Sequence, residues 1–272
     1  MKIKNLMSED VVSIDKNLNI CDCLRLMYKD NLSRIPVVAN NNGKKCLVGI
    51  ISEKDIANKL GSAKYGNLAP SHFYVSTVMV KDVITVDIDD DFMDVAKILL
   101  KENIGALPVM CGDEMCGIVT KSDFIYLARA KAYEKVLAEE IMTRNIISIS
   151  ANDRLVHGRK VIMDSGIGRL LISEDNELAG ILTSKDIAKA FVSFRKRAAN
   201  KNMSVQIKEL LAGEVMSQNV EKVSVKTPIP ELAELMLKTG FNGYPVVSDA
   251  DQVVGIVTQT DLLKLIYELE TQ

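Results

Sequence analysis

Apolar and polar positions alternate along this chain in one pattern that returns four times. Apolar residues recur at helical spacing in Ile20, Cys23, Leu24 and Met27, in Phe92, Val95, Ala96 and Leu99, and in Ile229, Leu232, Ala233 and Met236. Positions i, i+3, i+4 and i+7 share one helix face, so each set predicts an amphipathic helix. Ahead of the helix lies a short β-rich stretch: VVSID, VITVD, IISIS or VEKVS. Behind it come an apolar strand such as RIPVV or ALPVM, a turn rich in Asn, Gly and Asp, and a second apolar strand. That strand ends in Gly-apolar-apolar-Ser/Thr-x-x-Asp: GIISEKD at 49–55, GIVTKSD at 117–123, GILTSKD at 180–186 and GIVTQTD at 255–261. A second helix is expected to follow, as in DIANKL and DLLKLI. Anchored on Met7, Met79, Met142 and Met216, the copies align without a gap for 29 residues, to Pro36, Pro108, Leu171 and Pro245. The unit reads β-α-β-β-α, an α/β (α+β) architecture, with repeats at 1–62, 74–130, 137–194 and 210–270.

A unit of roughly 55 residues buries too little surface to be comfortable alone, so repeats are expected in pairs. The connectors from Asp55 to Met79 and from Asp186 to Met216 are long. The one from Asp123 to Met142 is short and reads as nearly continuous helix through YLARAKAYEKVLAEEI. This favours two pseudo-symmetric modules, 1–130 and 137–272.

Composition changes this picture little. With 272 residues, 47% hydrophobic and 26% charged, the chain is an ordinary globular one. A net charge of -2 gives no general attraction to nucleic acid or anionic membrane. The basic stretch 193–208, with Arg195, Lys196, Arg197, Lys201 and Lys208, lacks interleaved aromatics beyond Phe191 and Phe194 and is expected to be a solvated linker. No apolar run approaches the roughly 20 residues of a membrane span, and MKIKNLMSED lacks a signal-peptide core, so a cytoplasmic location is expected. Cys21 and Cys23 sit roughly 200° apart on their helix and cannot easily share a metal. Cys116 fills the slot held by Val48, Ala179 and Val254, as a small buried side chain would, so neither a metal nor a redox role is expected. His72 and His157 have no companion acid or nucleophile, and no catalytic constellation or catalytic cofactor is expected.

The Ser/Thr-x-x-Asp ending admits two readings. The hydroxyl and acid can simply cap the following helix. The same free N–H groups, hydroxyl and dipole can also receive phosphate, with the acid facing paired neutral donors such as ribose hydroxyls. Arg159 is an outlier, standing where other repeats have Leu24, Ala96 and Ala233. Its stem can lie along apolar surface with the head in water, or the head can reach a ligand or the opposing module.

These residues carry a resemblance. The Gly-apolar-apolar-Thr-x-x-Asp ending, the Pro-bearing strand and the pairing resemble the cystathionine β-synthase (CBS) domain over nearly the whole chain. Four copies are similar in architecture to the gamma subunit of AMP-activated protein kinase. The resemblance implies a regulatory, non-enzymatic sensor whose paired repeats hold adenosyl ligands (AMP, ADP, ATP or S-adenosylmethionine) in clefts and signal to an unidentified protein effector; further dimerisation stays open, as does a structural scaffold with vacant clefts. Carried over, one strong cleft comprises Thr120, Lys121 and Asp123 with Ser13, Ile14 and Arg34. The other comprises Thr258 and Asp261 with Ser148, Ile149 and Arg169. Two weaker clefts lack the Arg: Ser52, Lys54 and Asp55 would face Thr85 and Ala106, and Thr183, Lys185 and Asp186 would face Lys222 and Gly243. Lys54, Lys185 and Lys222 could partly compensate there.

Overall fold

The computed structural model describes residues 1–41, 44–62, 69–175, 177–197 and 206–270. Repeat one runs β1 (Ile14–Asp15), α1 (Ile20–Lys29), β2 (Arg34–Asn41), β3 (Lys44–Ser52) and α2 (Glu53–Leu60). Repeat two runs α3 (Val75–Val78), β4 (Val86–Asp87), α4 (Phe92–Lys101), β5 (Ala106–Cys111), β6 (Glu114–Thr120) and α5 (Lys121–Ile125). Repeat three runs α6 (Ala138–Ile141), β7 (Ser148–Ser150), α7 (Leu155–Asp164), β8 (Arg169–Glu174), β9 (Glu177–Thr183) and α8 (Ser184–Arg197). Repeat four runs β10 (Val223–Ser224), α9 (Ile229–Thr239), β11 (Gly243–Val247), β12 (Val253–Thr258) and α10 (Gln259–Glu270).

Each repeat carries a three-stranded sheet in sequence order, its first strand parallel to the second and its second antiparallel to the third. The first strands are shorter than the five-residue stretches expected, two or three residues each. They have one neighbour only, and the chain before them is committed elsewhere. Asn19 and Asp91 cap α1 and α4, accepting from Cys21 and Met93 backbone N–H groups. The helices end at one aligned position, Asn31, Asn103, Gly166 or Gly240, each at positive φ, which Asn and Gly adopt most readily. Each hairpin bulges at the same place, so Val48, Cys116, Ala179 and Val254 are the extra residues beside the motif glycine. Cys116 is joined to Cys111 by a disulfide, their Cα atoms 5.8 Å apart. That corrects the expectation of an ordinary thiol: the hairpin places both residues beside one short turn.

The chain forms two compact units, one of Met1–Val11, Ile84–Ile146 and Glu221–Gln272, the other of Val12–Val83 and Ile147–Val220. Each has its own apolar core: repeats two and four supply the first, repeats one and three the second. Within the second unit α2 packs on α8; within the first α10 packs on α4 and α5. Each repeat is also covered by the segment that leads into its sequence partner. Ser8 bridges Ile118 and Val80 bridges Ile50; Thr143 bridges Ile256 and Ser217 bridges Ile181. The aligned methionines Met7, Met79, Met142 and Met216 thereby seat on Gly117, Gly49, Gly255 and Gly180.

The expected continuous helix after Asp123 is broken. Two 3-10 turns, Tyr126–Arg129 and Lys131–Tyr133, separate α5 from α6, with Ala130 extended between them. Burial of Ala128, Tyr133 and Ala138, and the bond from the Ala138 N–H to the Thr227 carbonyl (2.9 Å), outweigh local helix propensity. The basic stretch is likewise not wholly linker. Its start belongs to α8, where Arg195 is buried, donates to the Leu60 carbonyl at 2.5 Å and lies 5.9 Å over the Phe73 ring. Lys201 falls outside the described residues. No helix among the described residues is long and apolar enough to cross a membrane.

A Cβ on Gly49 would lie 2.6 Å from Met79 Sδ and 2.9 Å from the Val80 carbonyl oxygen, which the strand bridge fixes. Gly49→Ala should therefore cost about 1–3 kcal/mol in urea unfolding. Gly168→Ala, with nothing within 4 Å, should stay within about 0.5 kcal/mol of wild type.

Candidate functional site

The four motif endings form one local structure. The strand delivers Ser52, Thr120, Thr183 or Thr258 in extended conformation, and the next residue starts a helix. The acid then falls at the third helical position. Its Oδ2 accepts the N–H of that Ser or Thr at 2.8, 2.6, 2.9 and 2.8 Å for Asp55, Asp123, Asp186 and Asp261. The same oxygen accepts the hydroxyl. The capping reading thus holds in every repeat, and it uses one carboxylate oxygen. The first helical N–H groups are also taken: those of Glu53, Lys121, Ser184 and Gln259 donate to the carbonyls of Ser33, Gly105, Gly168 and Asn242. Fewer N–H groups remain for phosphate than the sequence suggested.

The other oxygen differs among repeats. Asp261 is buried, and its Oδ1 accepts from Thr143 Oγ1 at 3.2 Å. Asp55, Asp123 and Asp186 are half-buried, with no second partner among the described residues. Burial pushes the Asp123 carboxyl up, against the Thr120 hydrogen bonds that hold it down. Asp55 opens on a cavity of about 310 Å³ lined also by Asn58, Lys59, Ser62 and Val78. Arg159 Nη1 holds Asn58 Oδ1 at 2.9 Å, and a Cβ on Gly61 would strike its stem. Arg159 therefore reaches repeat one, as the sharper reading of that residue had it.

The first unit contains Thr85, Thr120, Lys121, Asp123, Lys222, Thr258 and Asp261; the second contains the remaining predicted residues. Ser13 and Ile14 line a cavity of about 300 Å³ with Leu18, Asp22 and Leu26. Ile149 is buried and Ser148 exposed. Thr85 is exposed, and Lys222 is paired with Asp251 at 2.7 Å. Arg34 and Arg169 stand opposite Ser52 and Thr183 across their hairpins, where the first unit has Ala106 and Gly243. Both are half-buried, not solvated strand ends. Burial pushes the Arg34 guanidinium down while Asp55 and Glu53 hold it up.

The two units differ most at the variable motif positions. In the first, Lys121 Nζ donates to Thr260 Oγ1 and Gln259 Nε2 donates to Ser122 Oγ, both at 2.9 Å, so the two repeats satisfy each other. In the second, Glu53 is 6% exposed and Ser184 7%, and neither Glu53 Oε1 nor Ser184 Oγ has a hydrogen-bond partner among the described residues. The Tyr28 hydroxyl at the end of α1 is buried without one too, its ring 5.5 Å from Lys185 Nζ. Sequence reasoning missed Glu53, Ser184, Tyr28 and Asn58. The available signal was the acid at a motif position where other repeats have Lys121, Ser184 and Gln259.

A family model described as the CBS domain matches residues 3–62, 75–129, 138–193 and 212–268. The chain belongs to the CBS domain family. Its four CBS repeats are 25% identical over 276 residues to the uncharacterized protein MJ1225 of Methanocaldococcus jannaschii, covering 96% of this chain and 97% of that one. A second uncharacterized protein of that organism, MJ1404, is 26% identical over 276 residues, and the chain spans 62% of its length. The crystal structure of MJ1225, proposed as an archaeal homolog of g-AMPK, matches with a TM-score of 0.86 at 24% identity over 98% of this chain and all of that one. A conserved protein of Pyrococcus horikoshii matches over the same shares with a TM-score of 0.63 at 22% identity. These likenesses establish the fold.

Burial pushes the Glu53 carboxyl up to about 7; Asp186 adds to this, Lys185 and Arg34 oppose it. A carboxyl raised on folding binds more protons folded than unfolded. Stability is therefore full below the ordinary carboxylate range and falls as pH rises through about 7. Glu53→Gln should remove that fall, gaining about 3 kcal/mol over wild type at pH 8 and little at pH 4, read from urea unfolding at each pH.

Proposed function

We propose that this CBS protein is a regulatory sensor of adenosyl ligands, binding AMP, ADP or ATP and passing occupancy by conformational change to a protein effector. The observation that carries it is the polar centre of the second unit. Arg34 stands beside the opening of α2 and near Glu53, and in the same unit the buried Glu53 Oε1 and Ser184 Oγ find no hydrogen-bond partner among the described residues. Unpaired buried polar atoms are costly, and a bound polar group removes that cost. A guanidinium beside a motif hydroxyl favours phosphate, since charge-assisted donors suit its oxygens. The carboxylate oxygen left over at Asp55, Asp123 and Asp186 suits paired ribose hydroxyls. Sensing follows by linkage: a ligand shifts the protein toward whichever arrangement it binds better.

Thermal unfolding with AMP, ADP, ATP and S-adenosylmethionine tests this. A nucleotide at a hundredfold its Kd should add about 2.7 kcal/mol per site, several degrees in Tm. The shift should vanish in Asp55→Ala/Asp123→Ala/Asp186→Ala, which removes the three acids that keep a carboxylate oxygen for the ligand. In Arg34→Ala/Arg169→Ala nucleotide affinity should fall at least about tenfold, the loss of one charge-assisted bond or more. A response to S-adenosylmethionine alone, kept by the arginine variant, would replace the nucleotide reading. No shift with any of the four would leave the motifs as helix caps.

A further inference from the structure

This inference rests on the nucleotide reading above and concerns Glu53. The carboxylate opens α2, and the elements packed around it present charged and titratable groups on every side. Arg34 comes from β2, Lys185 and Asp186 from α8, Cys23 and Tyr28 from α1, and Lys54 and Asp55 follow on its own helix. Three buried polar atoms of these elements have no hydrogen-bond partner among the described residues: Glu53 Oε1, Tyr28 Oη, which lies within electrostatic reach of Glu53, and Ser184 Oγ at the start of α8, the helix packed on α2.

Such a set of donors, with Arg34 and Lys185, fits a tetrahedral oxyanion except at one point. An ionised Glu53 would face that anion with a like charge in a desolvated place, whereas its protonated form would offer it an O–H. We propose that Glu53 is a proton-linked specificity residue: a phosphoryl group binds beside it only when its carboxyl is protonated, so binding takes up one proton from solvent. No covalent bond changes; the proton leaves the buffer and stays on Glu53 while the ligand is bound. The first unit has no counterpart, since Lys121 and Gln259 hold the equivalent positions and already bond across to Thr260 and Ser122.

The burial that lifts the Glu53 carboxyl to about 7 places this linkage near neutrality. A site competent only in the acid form loses apparent affinity in proportion to that form, about tenfold one pH unit above 7.

The test is calorimetric titration of AMP into wild type and Glu53→Gln at pH 6, 7 and 8, with proton uptake counted near pH 8 from two buffers of different ionisation enthalpy. The AMP phosphate titrates equally in both experiments, so the ratio of affinities isolates Glu53. Expected are equal affinities at pH 6, about tenfold weaker wild-type binding at pH 8, and close to one proton taken up by wild type against none by the variant. If Glu53→Gln does not fold, the wild-type proton count decides alone. AMP binding with no proton uptake overturns the role of Glu53 and leaves the adenosyl reading standing. No binding of AMP, or of ADP or ATP titrated in the same way, by either protein at any pH overturns both.

Discussion

The contact between a methionine sulfur and a glycine, made once per repeat, fixes the rest of the molecule. Met7, Met79, Met142 and Met216 lie so close over Gly117, Gly49, Gly255 and Gly180 that a Cβ there would sit 2.5–2.6 Å from sulfur. The glycine is absent of side chain because a neighbouring chain segment must run along the strand at that point, its backbone bridged to the residue that follows. The strand then continues three residues to the Ser or Thr that opens the helix. The motif glycine is therefore a packing residue, and the hydroxyl and acid beyond it inherit a fixed position from it. Small-residue contacts of this kind leave little slack, because interiors are packed to crystal-like density.

On this common frame the units diverge chemically. In the first, the two motif helices exchange side-chain hydrogen bonds and bury one acid, Asp261, with both oxygens engaged. In the second, arginines stand opposite the motif hydroxyl positions, and a buried carboxyl oxygen and two buried hydroxyls have no hydrogen-bond partner among the described residues. Pseudo-symmetric repeats diverge most cheaply at positions the fold leaves free. The two variable residues of Ser/Thr-x-x-Asp are such positions, since neither caps the helix nor holds the strand.

Much of this was legible in the sequence. Periodicity located the first helix of repeats one, two and four, the turn residues marked the hairpins, and Ser/Thr-x-x-Asp announced its capping geometry. Most of what escaped depends on residues distant in sequence. Leading segments pair with strands 30 or more positions away, as Val80 does with Ile50 and, across 110 positions, Ser8 with Ile118. The helix after Asp123 breaks because Tyr133 and Ala138 are drawn into a core assembled by repeat four. Arg195 looked like linker charge because nothing local shows that the end of α2 will sit beside it. Cys111 and Cys116 flank a short turn in the sequence, but Cys116 also matched the small apolar residues at its position in the other repeats, and that likeness hid the pairing. Glu53 was one acid among many until burial set it apart.

The chain passes between its two units at residues 11, 83, 146 and 220. This interleaving gives them an order of completion during synthesis. The second unit has all of its sequence once residue 220 has been made, whereas the first, which holds the earliest residues, waits for the last repeat. Met7 and Met142 are synthesised ahead of the glycines they cover, while Met79 and Met216 find theirs already made. One half of the molecule can therefore close behind the ribosome while the other still exposes apolar lead-ins, and a chain ended near residue 220 would keep the second unit's sequence whole.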